Sequence, residues 1–197
     1  MPKCSVSEKG VKDLRVRRTQ ALLHEALGTL IREKPYDAIA VTEILRRAKV
    51  ARSTFYSHFS DKDELLTLGI HEMLRPAASR TKWPQAIVWF SLPVFEHLYE
   101  HRRTTVGRMG ARSRAMIHEH LANVLTRLIA ETVNKEYRMR GKAARAMAPD
   151  LLAKYVASTF ILVLNWWVES DSSLPPNEVN ALFHSLVLPS IENAFHD

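Results

Sequence analysis

Apolar residues recur every three or four positions through most of this chain, and no stretch sustains the alternation of a half-buried strand. The pattern predicts an all-α protein. Val41, Ile44, Leu45 and Ala48 make one face of a short helix apolar, while Glu43, Arg46, Arg47 and Lys49 fall on the opposite face. Val50 follows as a plug in a tight turn. Phe55 and Phe59, four apart, then anchor a second short helix on the same core and leave Arg52, Ser53, Thr54, Tyr56, Ser57 and His58 facing outward. Asp61 is a good N-cap for a third helix, with Glu64 three residues on completing a box-like pattern.

Further along, Leu65 to Leu74 continues that third helix up to Pro76, and residues 75–84 read as a loop between two domains. Pro84 suits a helical first turn, and Pro93 is expected to kink or interrupt the helix that runs to about His101. A short helix follows, then a long one from about Arg112 to Tyr137, striped by Met116, Ile117, Leu121, Val124, Leu125, Leu128 and Ile129. Residues 138–148 read as a basic surface connection, and two more helices occupy about 149–170 and 176–194. The expected architecture is therefore about nine helices. A three-helix domain with a basic tail takes residues 1–60, and a helical bundle takes 61–197, with helix 61–75 linking the two.

Two short helices with a hydrogen-bonding outer face over two bulky aromatics make a helix-turn-helix, whose second helix lies in the major groove of DNA. An ordinary bundle hairpin rarely combines these features. The run Thr54-Phe55-Tyr56-Ser57-His58-Phe59, with Lys62-Asp63-Glu64-Leu65 behind it, resembles the TetR family of transcriptional regulators. The lead-in through Ala26-Leu27, Leu30-Ile31 and Tyr36-Asp37-Ala38-Ile39 matches as well, so the specific similarity covers roughly residues 10–68. The resemblance implies that Arg52, Ser53 and Thr54 face bases and that Tyr56, His58 and Lys62 hold the phosphate backbone. It places Thr42 at the amino end of the helix that abuts it. Three positions depart from the family pattern: Lys49 where Gly is usual, Ala51 where Ser is usual, and Ala40 where Ser or Thr is usual. Lys49 takes a position where a left-handed conformation is common, Ala51 cannot cap, and Thr42 is left to do the capping of Ala40 from further inside.

Charge agrees with a polyanion-facing domain. The chain carries 28 Lys and Arg against 21 Asp and Glu, a net +7, and the first 60 residues hold 12 of the bases but only 6 of the acids. The Lys12-Arg15-Arg17-Arg18 cluster fits a phosphate-contacting tail, or a solvated helix face. The single cysteine, Cys4, supports no disulfide framework, and the polar first 20 residues show no signal peptide. The apolar run from Ala157 to Val168 is short for a bilayer, so a cytoplasmic protein without a membrane partner is expected.

The last two helices carry the second clue. Tyr155, Phe160, Ile161, Leu162, Val163, Leu164, Trp166 and Trp167 make the first of them apolar nearly all round, so it must be covered on more than one side. With Leu182, Phe183 and Leu186 on the other, two helices from each of two subunits would form a four-helix interface, as the resemblance also implies. Trp166 and Trp167 point about 100° apart, so only one of them faces the partner. Trp83, Trp89, Phe90, Phe95, Tyr99, Met109 and Met116 would line an apolar pocket for an unknown small-molecule effector, or simply fill a core.

His97-Leu98-Tyr99-Glu100-His101 formally matches the H-x-x-E-H pattern of zinc hydrolases, with Glu169 or Glu178 as a third ligand. Nothing else resembles a peptidase, so no catalysis, metal or cofactor is expected. The expected function is that of a homodimeric regulator of a palindromic duplex operator, a repressor released by its effector. The alternative is a related DNA binder that acts through a protein partner or as an activator.

Overall fold

The computed structural model describes residues 6–74, 83–101, 110–140, 147–170 and 172–195, without the side chains of residues 6–13 and 101. The short helix expected after His101, most of the 75–84 loop and the middle of the 138–148 connection lie outside the described residues, as do Cys4 and Met109. Among the described residues there are eight α-helices and two 3-10 turns: α1 (Val6–Glu33), a turn at Tyr36–Ala38, α2 (Val41–Ala48), α3 (Arg52–Tyr56), α4 (Lys62–Leu74), a turn at Gln85–Ile87, α5 (Ser91–His101), α6 (Ala111–Arg140), α7 (Pro149–Glu169) and α8 (Pro176–Asn193).

Local chemistry accounts for where these helices begin. Asp61 Oδ1 accepts the N–H groups of Asp63 and Glu64 at 2.9 and 2.8 Å, and Glu64 reaches back to the Ser60 N–H at 2.7 Å. Asp61 thus caps α4 as read from the sequence, while Glu64 returns to the N–H of Ser60, one residue before the cap, rather than to that of Asp61. The Ser60 bonds hold the Glu64 carboxyl below its ordinary range. At α2, the side chain that closes the open amino end is Glu43 rather than Thr42: its carboxylate accepts the Ala40 N–H at 3.0 Å. Pro93 produces no kink, because α5 starts at Ser91 and the proline falls in its first turn, where a missing N–H costs nothing.

Two hydrophobic clusters result. The first joins α1, the Tyr36 turn, α2 and α3 around Leu23, Leu27, Ile44, Phe55 and Phe59, and it takes in Leu65 of α4. The second gathers α5–α8 around a ladder of rings in which Phe90, Phe95 and Phe183 lie 5.0, 4.9 and 5.3 Å from Phe160. Ile70 and Leu74 of α4 belong to this second cluster, so the packing changes hands within one helix. By length and hydropathy the complete α7 could cross a membrane. Its apolarity has another use, since Val156, Phe160, Val163, Leu164 and Trp167 are core residues packed against neighbouring helices.

Candidate nucleic-acid interface and adjoining cavity

α2 and α3 form the helix-turn-helix. Lys49 ends α2 with φ 54° and ψ 40°, and it is the one non-glycine residue with positive φ among the described residues. Its N–H and that of Val50 both return to the Leu45 carbonyl. This is the left-handed helix end at which glycine has the least to lose. α3 starts from the uncapped Ala51 and is held from below by Phe55 and Phe59, both buried with ring centroids 5.5 Å apart. Arg52, Ser53, Tyr56 and Ser57 are exposed, while Thr54 and His58 are half-buried. The Arg52 guanidinium lies 5.5 Å from the Tyr56 ring centroid, so these two share a face. Ser57 turns its hydroxyl back onto the Thr54 carbonyl at 2.7 Å. Thr42 is exposed at the amino end of α2.

Lys62 sits differently from its neighbours on this face. Its Nζ donates to the carbonyls of Tyr36, Ile39 and Asp37 at 2.8, 2.9 and 3.3 Å and lies 4.6 Å from the Tyr36 ring centroid. The lysine thus closes the 3-10 turn that leads into α2. The same turn is tied to α6. The Tyr36 N–H donates to Ser113 Oγ at 2.8 Å, Asp37 meets Arg112 at 3.3 Å, and the Tyr36 hydroxyl donates to Asp63, which also lies 3.8 Å from His120. Burial and the Asp63 carboxylate push the Tyr36 phenol far up. Two residues of α6, Ser113 and Arg112, therefore hold the turn that leads into the helix-turn-helix, and His120 approaches its partner Asp63.

Below this latch lies a cavity of about 300 Å³. Its wall comes from α1 (His24, Gly28, Arg32), α4 (Leu65, Gly69, Met73), α5 (His97, Leu98), α6 (Arg114, His118) and α7 (Val168). Among the described residues, none of those expected to line a pocket borders it. Phe90 and Phe95 are buried in the ring ladder, Trp89 meets Phe90 edge-on, and Tyr99 stacks on Trp167. Trp83 packs on Phe195 under the Arg140 guanidinium, and Met116 packs on the N-terminal cluster. Each of these aromatics finds another ring, with Phe90 and Phe95 in the core, Trp83 and Trp89 half-buried against it and Tyr99 exposed. The cavity forms where five helices, distant in sequence, leave aliphatic faces apart. Two interior glycines, with His24, Gly28 and Arg32 four apart on α1, were the available signal.

His24 Nε2 is 3.0 Å from the Leu65 carbonyl and His118 Nδ1 is 2.6 Å from Asn165 Oδ1, so each ring has one N–H committed to an oxygen. Burial pushes both imidazoles below their ordinary pKa, which leaves them neutral. Arg114, largely shielded, reaches the more exposed Glu169 at 3.5 Å.

On the outer side of α7 and α8, Trp166 is 44% exposed and Trp167 only 1%. Trp167 donates its Nε1–H to the Leu174 carbonyl at 3.1 Å. Of the residues expected at a subunit contact, Trp166, Leu182 and Leu186 are exposed, whereas Trp167 and Phe183 are core. Leu151, Tyr155 and Leu162 join the exposed set, and their spacing of four, seven and four toward Trp166 puts them along one stripe.

Among the described residues no group of three His, Cys, Asp or Glu side chains comes together to hold a metal. The side chain of His101 lies outside the described residues. Ser91 Oγ approaches Asn180 Oδ1 at 2.6 Å and His184 Nε2 at 3.1 Å, yet it is buried and fastens α5 to α8.

Residues 23–67 match the family described as bacterial regulatory proteins, tetR family, and residues 89–188 match a transcriptional regulator C-terminal region. An HTH-type transcriptional regulator of Haemophilus influenzae is 30% identical over 94 residues, 44% of this chain and 46% of the relative. The matches span only 14% to 46% of the length of the curated relatives. The dihydroxyacetone kinase operon activator DhaS shares the fold with a TM-score of 0.56 at 16% identity, over 91% of this chain and 98% of that one. So does the Thermus thermophilus repressor FadR, in complex with lauroyl-CoA, with a TM-score of 0.52 at 18% identity, over 86% of this chain and 93% of that one.

Proposed function

The chain belongs to the TetR family of transcriptional regulators, with a DNA-binding helix-turn-helix, and from that premise we propose that it acts in the cytoplasm as a homodimeric repressor of a palindromic operator, released when a small molecule occupies the cavity behind the helix-turn-helix. The observation that carries the DNA reading is the outward row of Arg52, Ser53, Thr54, Tyr56 and His58 over the buried Phe55 and Phe59. Arg52, Ser53 and Thr54 read base edges, while Tyr56 and His58 hold phosphates. The exposed stripe on α7 and α8 pairs with its copy across a two-fold axis and sets two α3 helices about one helical turn of DNA apart, roughly 34–36 Å.

Release follows from where the cavity lies. Its wall includes α1 and α4, which carry the first cluster, and α6, which holds the Tyr36 turn through Ser113. An occupant that shifts α6 against α1 moves the helix-turn-helix, and the two heads leave register. Selection of bound duplexes from a random pool tests the DNA reading. It should return an inverted repeat with that spacing, and Arg52→Ala should relax the preference at one base position by about 1–3 kcal/mol. Recovery of no sequence, or of a single half-site bound at full strength, would refute it. Activation is favoured instead by the likeness in fold to DhaS, an operon activator. A reporter placed behind the selected operator separates the two signs: deletion of the regulator raises expression if it represses and lowers it if it activates.

A further inference from the structure

Resting on the reading of the cavity as an effector site, we infer that its ligand is a small aliphatic carboxylic acid, with the carboxylate on Arg114 and the alkyl body between α1 and α4. The volume, about 300 Å³, lies at the low end of small-molecule sites, roughly 300–1,000 Å³. That suits a short acyl chain and is too small to enclose a nucleotide-bearing thioester. The apolar part of the described wall is built from Leu, Ile, Val and Met, with no Phe, Tyr or Trp, so it offers dispersion contacts to a flexible chain and no ring to stack on.

The charge of the wall is one-sided. Its described residues include Arg32, Arg114 and three histidines, and no Asp or Glu. Burial lowers the pKa of His24 and His118, and the charges that persist at every pH are the two guanidinium groups. Arg32 is directed along its own helix toward Thr29 Oγ1 at 3.3 Å. Arg114 is the better anchor. A guanidinium has five donors in a fork that matches a carboxylate, and its 3.5 Å approach to Glu169, a carboxylate 59% exposed, is a long contact that a ligand head can replace.

Gly28 supplies a separate argument for a site kept open. An interior helical glycine destabilises its helix relative to alanine, and packing does not require this one, since a Cβ built on it meets nothing within 4 Å. What the missing side chain preserves is space on the α1 wall of the cavity.

The test uses octanoate and octan-1-ol, matched in chain and different in head, with the full-length protein in calorimetry and thermal melts. Octanoate should bind and raise the Tm, with the alcohol at least tenfold weaker. Arg114→Met should lose that tenfold preference while still binding the alcohol, and Arg114→Lys should recover part of it. Gly28→Leu should melt no lower than the wild type and bind neither probe. Equal affinity for acid and alcohol, an Arg114→Met variant that keeps its preference for octanoate, or no binding of either probe would each overturn the assignment. Gel shifts with the selected operator form a separate arm. Acid that binds as described but leaves the gel shift unchanged upholds the ligand class and refutes release as the function.

Discussion

Lys62 shows how one side chain can carry more than its motif assigns to it. The family pattern makes it a phosphate contact, whereas here its ammonium joins three carbonyls of the turn before α2. Removing it would leave the partly buried Ile39 carbonyl without that donor, at about 1–3 kcal/mol, while the Tyr36 carbonyl keeps the Ile39 N–H. Lys62→Ala should therefore lower the melting temperature and weaken binding to specific and nonspecific duplexes together. Normal stability with weakened binding would restore a purely phosphate-contacting role. Lys49 is the opposite case, because the departure from glycine was visible in the sequence and its consequence, a left-handed residue with a side chain, is what the backbone shows. The capping of α2 was not legible at this scale: Thr42 and Glu43 both lie near the open end, and only the geometry gives the Ala40 N–H to Glu43.

Among the elements, the helix-turn-helix was readable because all its determinants lie within about twenty residues, as a periodicity, a turn and a cap. The cavity was not, because it is a property of five helices drawn from residues 24 to 168. α7 stands between these cases. Its all-round apolar character was plain, but the sequence could not say which tryptophan faced out. Trp166→Glu, on the exposed stripe, should give a folded monomer with little operator affinity. Trp167→Glu should fail to fold, since a carboxylate in that core has no partner and costs several kcal/mol. Sedimentation and melting of both variants check this. A tight dimer from Trp166→Glu combined with Leu162→Glu would move the interface elsewhere.

For the molecule as a whole, three shielded histidines make stability fall on the acid side. Burial lowers the pKa of His24, His118 and His184 from the ordinary 6.5. The unfolded chain thus binds protons at these sites that the folded one resists. The sign follows: stability is fully present above about pH 6.5 and falls as the pH drops below it. Melts at pH 7.5 and 5.5 should show the loss, and His118→Asn should reduce it. A melting temperature independent of pH across this interval would mean that these imidazoles protonate in place.

The division of α4 between two cores also bears on how operator-reading heads could be exchanged between relatives. A crossover at the turn before Lys62 would take Leu65 from the cluster it completes and give the incoming Tyr36-equivalent turn a foreign lysine and carboxylate. A crossover after Leu65 keeps those three together, but it still asks the recipient's α6 to present a hydroxyl where Ser113 accepts the turn's N–H. Head and body in this protein are heritable as a unit only when the first turn of α6 travels with the first 65 residues. Recombinants joined by sequence boundaries alone would bind DNA, if at all, without hearing the body.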